Sequence, residues 1–571
     1  MNNKNSRSFA PDHSQTVTLA DGQIAHRQHA QQSEVLLRRF YEVRPGVWTF
    51  VGNGLSNQTF IEGPDGIIAI DTGDSTEEMR AAIAELRQVT DRPIVAIMYT
   101  HFHYIMGTEA IYEDGSPRST PVYGHEKVAY NRARASSEIA TTYIRGLIEQ
   151  FAIMLPKSGP DGVVNVGLGH FYHNPAHAPF SSVFTPPDHT FGDTASITVA
   201  GLPVEVTLAP SDADDSVTYW FPTLGVAVHN LVWPVLFNIF AIRGEEYRDP
   251  RVLVTGIDHL LSLKAEHLVA AHGPPMSGSA EIAQRVLRYR DAIQFLWDQA
   301  VRHTNRGTLA SDLGHVISLP AHADDDFITS EGYGVAEHHV RQIRNGLFGF
   351  FDGEESELFP LPTNERSKRM IAGFGGRSTV RDLVKKSIAG DDIRWATELA
   401  TWLVRSEEGD SEDRALLATC LRTIAQRTPA ANIRNWCLLR AMSLEGTIDT
   451  SRMYRHGFHR HQVLTSPVAS SVHILRVLLD PDLAEGIDLH IAFAFTDRET
   501  TGLHIRHSIA CPTDGENADA TIHCTLETWA DILTTKVQLS EAIQDGILTI
   551  TGNAQSVISA LGVFEISSLQ Q

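Results

Sequence analysis

Two buried strands joined by one helix dominate the first hundred folded residues. Residues 66–71 and 94–100 are both runs of apolar, mostly β-branched residues, which is typical of buried strands. Between them, Ser75 and Glu78 have the spacing of a helix capping box, and apolar residues follow at helical spacing. A strand–helix–strand order favours parallel strands within an α/β layer. The chain is therefore predicted to begin its folded part as an α/β domain.

Two histidines, His101 and His103, directly follow the second of these strands. Side chains at i and i+2 of an extended segment point the same way, so two imidazoles here can reach one metal ion. The carboxyl end of such a strand also faces the crevice in which α/β proteins bind ligands. An isolated His-x-His would more often be a surface or capping pair. Its place after a Val/Ile-rich strand predicts metal ligands instead.

Composition limits the classes of function. Lys and Arg number 47 against 69 Asp and Glu, a net charge of −22, which argues against a general nucleic-acid binder. No run approaches the ~20 apolar residues of a transmembrane helix, and no signal-peptide pattern opens the chain. The four cysteines lack the paired spacing of a zinc ribbon and are typical of a reducing compartment. We therefore expect a cytoplasmic protein without a membrane span.

Several stretches together resemble the alkyl sulfatase branch of the metallo-β-lactamase superfamily. The first domain, with its His-x-His motif, resembles the metal-binding hydrolase domain of that family. Residues 332–353 and 390–396 resemble its helical dimerisation domain. The C-terminal block, which ends in Ile550-Thr551-Gly552-Asn553, resembles its sterol-carrier-like domain. The resemblance covers nearly the whole chain after about residue 35.

This resemblance implies a fold class and a domain order. The fold is expected to be α/β, a metallo-β-lactamase αββα sandwich followed by an all-α dimerisation domain and an α+β sterol-carrier-like domain. A homodimer is implied by the second domain. The predicted boundaries are an N-terminal extended arm (1–35), a catalytic domain (36–305), a helical dimerisation domain (306–450) and a C-terminal domain (463–571).

The metal motif departs from the family pattern His-x-His-x-Asp-His. Its first two histidines match His101 and His103, but Tyr104-Ile105-Met106-Gly107 stands where the Asp-His pair of the second metal belongs. Asn230 replaces the glutamate that bridges the metals in the family, and His272 matches the final histidine. The second metal site is therefore in doubt.

The carboxylate ligand of the family is best matched by Asp212, with Asp214 and Asp215 as alternatives. The implied metal ligands are then His101, His103, Asp212 and His272. Two histidines and one carboxylate suit a catalytic zinc, as one or two ions, and equally a non-haem iron; manganese also remains open.

Two further residues are candidates for the substrate pocket. Arg243 matches the family arginine near the substrate sulfate, and its planar guanidinium suits a tetrahedral oxyanion. The alternative for Arg243 is an ion pair with Glu245, Glu246 or Asp249. Tyr104 either faces the substrate or is an ordinary core or loop tyrosine.

Three hypotheses for function follow. The resemblance implies hydrolysis of an organic sulfate ester by metal-activated water, with a small anionic or amphiphilic substrate. The altered motif motivates a second reading, a mononuclear metalloenzyme that hydrolyses another ester or an amide, or uses iron for oxidation. The third is a non-catalytic ligand-binding protein. The C-terminal domain either gathers alkyl chains or completes the fold.

Overall fold

A computed structural model describes residues 7–135 and 138–570 of the 571-residue chain. Residues 1–6, 136, 137 and 571, which fall within the predicted arm, catalytic and C-terminal domains, lie outside the described residues. The chain separates into two compact units. Unit 1 comprises residues 1–132 and 145–450, and unit 2 comprises residues 133–144 and 451–571.

The N-terminal segment of unit 1 is folded, which differs from the extended arm predicted. It contains β1 (Thr16–Thr18), β2 (Ile24–His26) and α1 (Arg27–Val35), and β1 pairs antiparallel with β2. The Arg434 guanidinium donates to the Ile24 carbonyl at 3.1 Å. The segment is held largely by such polar contacts with backbone groups, so its sequence lacks the apolar periodicity that would have predicted structure.

Two sheets form the core of the first domain. The first is seven-stranded, with the strands in chain order: β3 (Arg39–Arg44), β4 (Val47–Val51), β5 (Gln58–Glu62), β6 (Ile67–Ile70), β7 (Ile94–Met98), β8 (Val122–His125) and β9 (His189–Phe191). The second is six-stranded: β10 (Thr194–Val199), β11 (Leu202–Leu208), β12 (Val217–Phe221), β13 (Val226–His229), β14 (His267–Ala270) and β15 (Met276–Ser277).

One apolar cluster joins the facing sides of these sheets. Ile68, Ile70 and Met98 from the first sheet and Val206 and Val228 from the second belong to it, and all are buried. Two sheets that share one core in this way form a sandwich. The predicted parallel pairing of β6 with β7 is present.

Helices connect or follow these strands: α2 (Thr76–Leu86), α3 (Glu109–Glu113), α4 (Val128–Ala135), α5 (Ala140–Gln150), α6 (Pro250–Ser262) and α7 (Ser279–Thr304). The predicted capping box of α2 is half formed. The Ser75 hydroxyl accepts from the Glu78 amide at 3.1 Å, but the Glu78 carboxylate accepts from the Gln58 amide at 2.7 Å. The Glu78 side chain is thereby committed to the core.

The rest of unit 1 is helical. Its helices are α8 (Leu313–Val316), α9 (Ala336–Phe348), α10 (Thr363–Gly373), α11 (Arg377–Ala389), α12 (Ile393–Arg405), α13 (Ser411–Arg427) and α14 (Ala431–Leu444). Gly375 and Gly376 turn the chain between α10 and α11 with φ of +89° and +99°. Such values favour glycine, so the glycine cluster is a turn, as predicted.

Unit 2 is an α+β domain around its own apolar core. Its elements are α15 (Arg460–Thr465), α16 (Val468–His473), β16 (Leu489–Phe495), β17 (Thr500–Arg506), β18 (Ile509–Thr513), β19 (Ala520–Cys524), α17 (Leu526–Leu533), α18 (Leu539–Gln544), β20 (Thr549–Thr551) and α19 (Ala554–Leu561). The alternating strand predicted near Ile487–Phe495 is β16, at the centre of a five-stranded sheet. Among the helices described, none combines the length and apolar character that spanning a bilayer requires.

A buried carboxylate, Glu337, ties α9 to two other segments of unit 1. It accepts from the Ser8 hydroxyl at 2.6 Å and from the Arg394 guanidinium at 2.7 Å. Burial would raise the pKa of Glu337, but the hydrogen bond and charge of Arg394 lower it from 4.5 to about 2. The ionised form is therefore the one that stabilises the fold.

We predict that Glu337→Gln lowers the free energy of unfolding at pH 7. A carboxylate with a lowered pKa stabilises above its unfolded pKa and loses this effect as pH falls through the folded value. The difference from wild type should be full above pH 4.5 and shrink towards pH 2, as measured by urea unfolding at several pH values. Glu365→Gln, which removes an exposed helical ion pair with Arg369, is the control, with little change expected. An equal loss at every pH would contradict the prediction.

Candidate metal centre

The candidate site lies where strand ends from both sheets meet. Parallel pairing brings together the ends of β6 and β7 in one sheet and of β13 and β14 in the other. The Val217 amide, at the start of β12, donates to the Thr100 carbonyl at 3.0 Å. This bond joins the two sheets at one end. Residues that follow these strands therefore converge from both sheets.

Three of the predicted ligands, His101, His103 and Asp212, are brought together here. Each offers one ligand atom, and these atoms lie within 4.8 Å of one another. His103 Nδ1 donates to Asp212 Oδ2 at 3.1 Å, and His101 Nε2 lies 3.8 Å from Asp212 Oδ1. Within the described part of the chain, this is the one group of three or more His, Cys, Asp or Glu residues so arranged. The alternative Asp214 instead pairs with Lys127 at 2.8 Å.

The electrostatics of these three residues suit a cation. Burial lowers the pKa of His101 to about 3, so its imidazole is neutral near pH 7. Burial would raise the pKa of Asp212, but the neighbouring His101 and His103 hold it well below its usual value. Metal ions bind neutral imidazole and ionised carboxylate. The donor set therefore fits one divalent ion of the zinc type, and also iron.

A carboxylate at the end of β6 orients His101. Asp71 accepts from the Thr100 amide at 2.8 Å and from the Thr100 hydroxyl at 2.7 Å. Burial raises the pKa of Asp71 to about 7. In the ionised form of Asp71 the Thr100 hydroxyl donates to the carboxylate, and it then accepts from His101 Nδ1, which lies 2.9 Å away. The lone pair of His101 Nε2 then faces the site, 3.3 Å from Asn230 Nδ2, and is the one that would bind a metal ion. Such hydrogen bonds fix the tautomer and the ring plane of metal-binding histidines.

Asn230 follows β13 and lies against the three residues. Its Nδ2 donates to Asp212 Oδ1 at 2.6 Å and to the Ser211 hydroxyl at 3.1 Å. Its Oδ1 accepts from Trp233 Nε1 at 3.1 Å. Asn230 thus lies against Asp212 and presents its amide nitrogen to that carboxylate.

The other two predicted residues, Tyr104 and His272, contact each other. The Tyr104 hydroxyl lies 3.2 Å from His272 Nε2, and His272 Nδ1 lies 3.0 Å from the Leu55 carbonyl. Both side chains are buried. His272 therefore lies beside the other predicted ligands but outside their group.

A second arginine, which the sequence did not single out, accompanies Arg243. Arg243 pairs with Glu245, the predicted alternative, and Arg248 lies 3.6 Å from the same carboxylate. Both guanidinium groups are buried, so two positive charges share one negative charge. The charge of Arg248 contributes to the lowered pKa of Asp212. The Arg243–Glu245–Arg248 cluster is therefore a buried, net positive region near the metal ligands.

Asn238 and Tyr333 complete this region. Arg248 donates to the Asn238 carbonyl at 2.8 Å. Among the described residues, the Asn238 side-chain amide and the Arg248 Nε have no hydrogen-bond partner although both are buried. The Tyr333 hydroxyl accepts from Gln150 at 2.8 Å, and Gln150 also accepts from the Arg243 amide at 3.4 Å. Buried donors without partners indicate a place for a polar ligand or water.

We predict that Asp71→Asn weakens metal binding while leaving the fold intact. An amide cannot accept both Thr100 bonds, so the Thr100 hydroxyl loses its orientation towards His101. Loss of such an outer hydrogen bond typically costs about 10–100-fold in metal affinity. Zinc affinity by competition with a chelating dye tests this, with Asp91→Asn, at an exposed position, as control. Unchanged affinity would show that Asp71 does not position the ligand.

Comparison with known proteins finds alkyl sulfatases among the sequence relatives of the chain and a similar fold among solved structures. Residues 51–229 match the metallo-beta-lactamase superfamily, residues 310–447 the alkyl sulfatase dimerisation domain, and residues 461–569 the alkyl sulfatase C-terminal domain. A linear primary-alkylsulfatase from Pseudomonas sp. (strain ATCC 19151) is 31% identical over 522 residues, covering 88% of this chain and 98% of that protein.

Two further proteins are similar over most of the chain. An (R)-specific secondary-alkylsulfatase from Pseudomonas sp. is 26% identical, covering 92% of this chain and 80% of that protein. The solved structure of the stereoselective inverting sec-alkylsulfatase Pisa1 from Pseudomonas sp. superposes with a TM-score of 0.84 at 24% identity, covering 98% of this chain and 92% of that chain. The latter shows that the two proteins share a fold.

Proposed function

Because this chain belongs to the alkyl sulfatase family of metallo-β-lactamase-fold hydrolases, as its motifs predicted, we propose that it hydrolyses organic sulfate esters with a divalent metal ion. The observation that carries the proposal is the juxtaposition of a metal-ligand group with a buried, net positive arginine cluster. We propose zinc as the ion, since two imidazoles and a carboxylate with open positions suit it, while iron and manganese stay compatible.

The metal ligands and the arginine cluster have different roles in the proposed reaction. A bound divalent ion supplies Lewis acidity and lowers the pKa of water to about 7. His101, His103 and Asp212 would hold that ion, and Thr100 keeps the His101 lone pair turned towards it. Water could then hydrolyse a sulfate ester that is held beside the ion.

The Arg243–Glu245–Arg248 cluster would recognise the sulfate group of the substrate. A sulfate monoester carries one negative charge, which matches the single excess positive charge of Arg243, Glu245 and Arg248. The planar guanidinium forms paired hydrogen bonds with oxyanions. Burial strengthens these contacts, because the charges act in a medium of low dielectric constant. Donors that are fixed before the substrate arrives stabilise the charge that develops during reaction.

We predict that Arg243→Met and Arg248→Met each lower kcat/KM for alkyl sulfate hydrolysis. Loss of one fixed donor to developing charge typically costs about 10²–10³-fold. Sulfate released from a panel of primary and secondary alkyl sulfates, measured by ion chromatography, tests this. Arg251→Met is the matched control, since Arg251 is exposed and pairs with Asp249 on the surface, and it should leave the rate unchanged.

Metal-loaded protein that releases no sulfate from this panel would overturn the proposed reaction. Iron in the purified protein would then favour oxidation by the same two-histidine, one-carboxylate set. Turnover of carboxylic esters or amides would favour the other hydrolytic alternative. Weak or no metal binding would favour a non-catalytic ligand-binding protein.

We also propose that the protein is a homodimer, supported by the match to the dimerisation domain. The loop between α9 and α10 (residues 348–361, the Phe-rich loop) exposes several large apolar side chains, with Phe350 84% and Phe359 89% exposed. Exposed apolar clusters of this kind mark interfaces, and homodimer interfaces are apolar. A second copy of the chain is the occupant we propose.

The double substitution Phe350→Ser/Phe359→Ser should shift the protein towards the monomer. Removing two exposed aromatic side chains takes apolar area from the interface without changing the core. Sedimentation velocity at micromolar concentration measures the shift, and Leu287→Ser, an exposed leucine on α7, serves as control. A wild-type protein that sediments as a monomer would overturn the dimer.

Two predictions about the whole protein stay open to test. The cytoplasmic location is supported by four free cysteines, Cys420, Cys437, Cys511 and Cys524. The likeness of the C-terminal domain to sterol carriers is supported by a five-stranded sheet with its own apolar core, and the domain either gathers alkyl chains or completes the fold.

A further inference from the structure

We infer that this enzyme works with one metal ion per chain, and that the Tyr104–His272 hydrogen bond takes the place of a second. The inference rests on the proposed metal-dependent function and specifies its metal site. Two-metal sites hold their ions about 3.5–4 Å apart, so a second ion needs further ligands beside those of the first. The residues around His101, His103 and Asp212 do not supply a second set.

The segment after His103 provides no ligand. Ile105 is fully buried and forms a β-bridge with Gly73. The Met106 amide donates to the Gly73 carbonyl at 2.9 Å. This short segment is therefore held along the turn after β6, and Ile105 and Met106 offer no imidazole nitrogen or carboxylate oxygen to a metal ion.

The amide of Asn230 is turned the wrong way for a ligand. The indole Nε1 of Trp233 can only donate, so the atom it contacts at 3.1 Å must be the Asn230 oxygen. The Asn230 nitrogen consequently faces Asp212 at 2.6 Å. An amide nitrogen has no free lone pair for a metal ion. Asn230 therefore orients the Asp212 carboxylate instead of bridging two ions.

The lone pair of His272 Nε2 already accepts a hydrogen bond. The Leu55 carbonyl can only accept, so His272 Nδ1 carries the ring proton. His272 Nε2 is then an acceptor, and the Tyr104 hydroxyl donates to it at 3.2 Å. The Tyr104 ring also fills the space between the imidazoles, with its centroid 5.1 Å from that of His101 and 5.2 Å from that of His272.

Two nearby carboxylates are committed to hydrogen bonds. Both oxygens of Asp71 accept from Thr100. Glu78 accepts from Gln58 at 2.7 Å and from the Asp74 amide at 3.2 Å. Neither belongs to the ligand group found among the described residues. A second ion that used Asp71 or Glu78 would thus have to break buried hydrogen bonds, each costly to lose. Among the described residues, Asp74 Oδ2 and the Asp215 carboxylate are buried without a hydrogen-bond partner, but both lie outside the ligand group.

Metal content tests the inference directly. Chelator-stripped protein is reloaded with zinc, freed of excess by gel filtration, and analysed by mass spectrometry of metal and protein. We expect one zinc per chain in the wild type and in Tyr104→Phe and His272→Ala, with zinc dissociation constants within about threefold of one another. His101→Ala should weaken zinc binding at least 100-fold.

The outcomes separate the inference from the proposed function. Two zinc ions per chain would overturn the single-metal site even if sulfate is released. A large loss of zinc affinity in His272→Ala or Tyr104→Phe would overturn the role given to the Tyr104–His272 hydrogen bond. One zinc per chain without sulfate release would support the site and overturn the reaction. No bound zinc would overturn both. Tyr104→Phe keeps the ring, and thermal unfolding identifies a misfolded His272→Ala.

Cobalt absorption supplies a second readout. Cobalt-loaded protein absorbs in the visible range according to the number and geometry of its ligands. If His272 is not a ligand, the spectra of wild type and His272→Ala should coincide. A change in band position or intensity in His272→Ala would show that His272 binds the ion.

Discussion

The apolar core between the two sheets fixes where strand ends meet, and each candidate ligand projects from those ends. Val and Ile side chains from both sheets share this core, so neither sheet can slide without exposing apolar surface. The Val217–Thr100 backbone bond then locks the sheets together at the site. His103 and Asp212, 109 residues apart, meet at 3.1 Å for this reason.

Around these ligands, hydrogen bonds decide which atoms remain for a metal ion. Asp71 acts through Thr100 to turn His101, while Trp233 turns the Asn230 amide. Hydrogen bonds within a buried network are hard to exchange, because a buried polar group left unpaired is costly. The altered motif therefore gives a well-defined site, with ligands for one metal ion instead of two.

The site places two buried positive charges within an acidic protein. The chain carries a net charge of −22, yet two buried guanidinium groups share one carboxylate beside the metal ligands. Fields at short range in a medium of low dielectric constant outweigh distant, solvent-screened charges. A small anion can thus bind where a long polyanion such as nucleic acid would be repelled by the surface.

The sequence by itself determined the strand–helix–strand core, the glycine turn before α11 and the His101/His103 pair, because each follows from local spacing and periodicity. The family resemblance added the order of the domains, and also Asp212 and Asn230, at positions that no local pattern marks. Only the tertiary structure decided that the N-terminal segment is folded, that Arg248 lies near the ligands, and that Tyr104 contacts His272, 168 residues away. Contacts between residues so far apart in sequence follow from the packing of whole sheets. The neighbouring residues in the sequence predict where a side chain lies on a strand, but they do not predict which distant group it will form a hydrogen bond with.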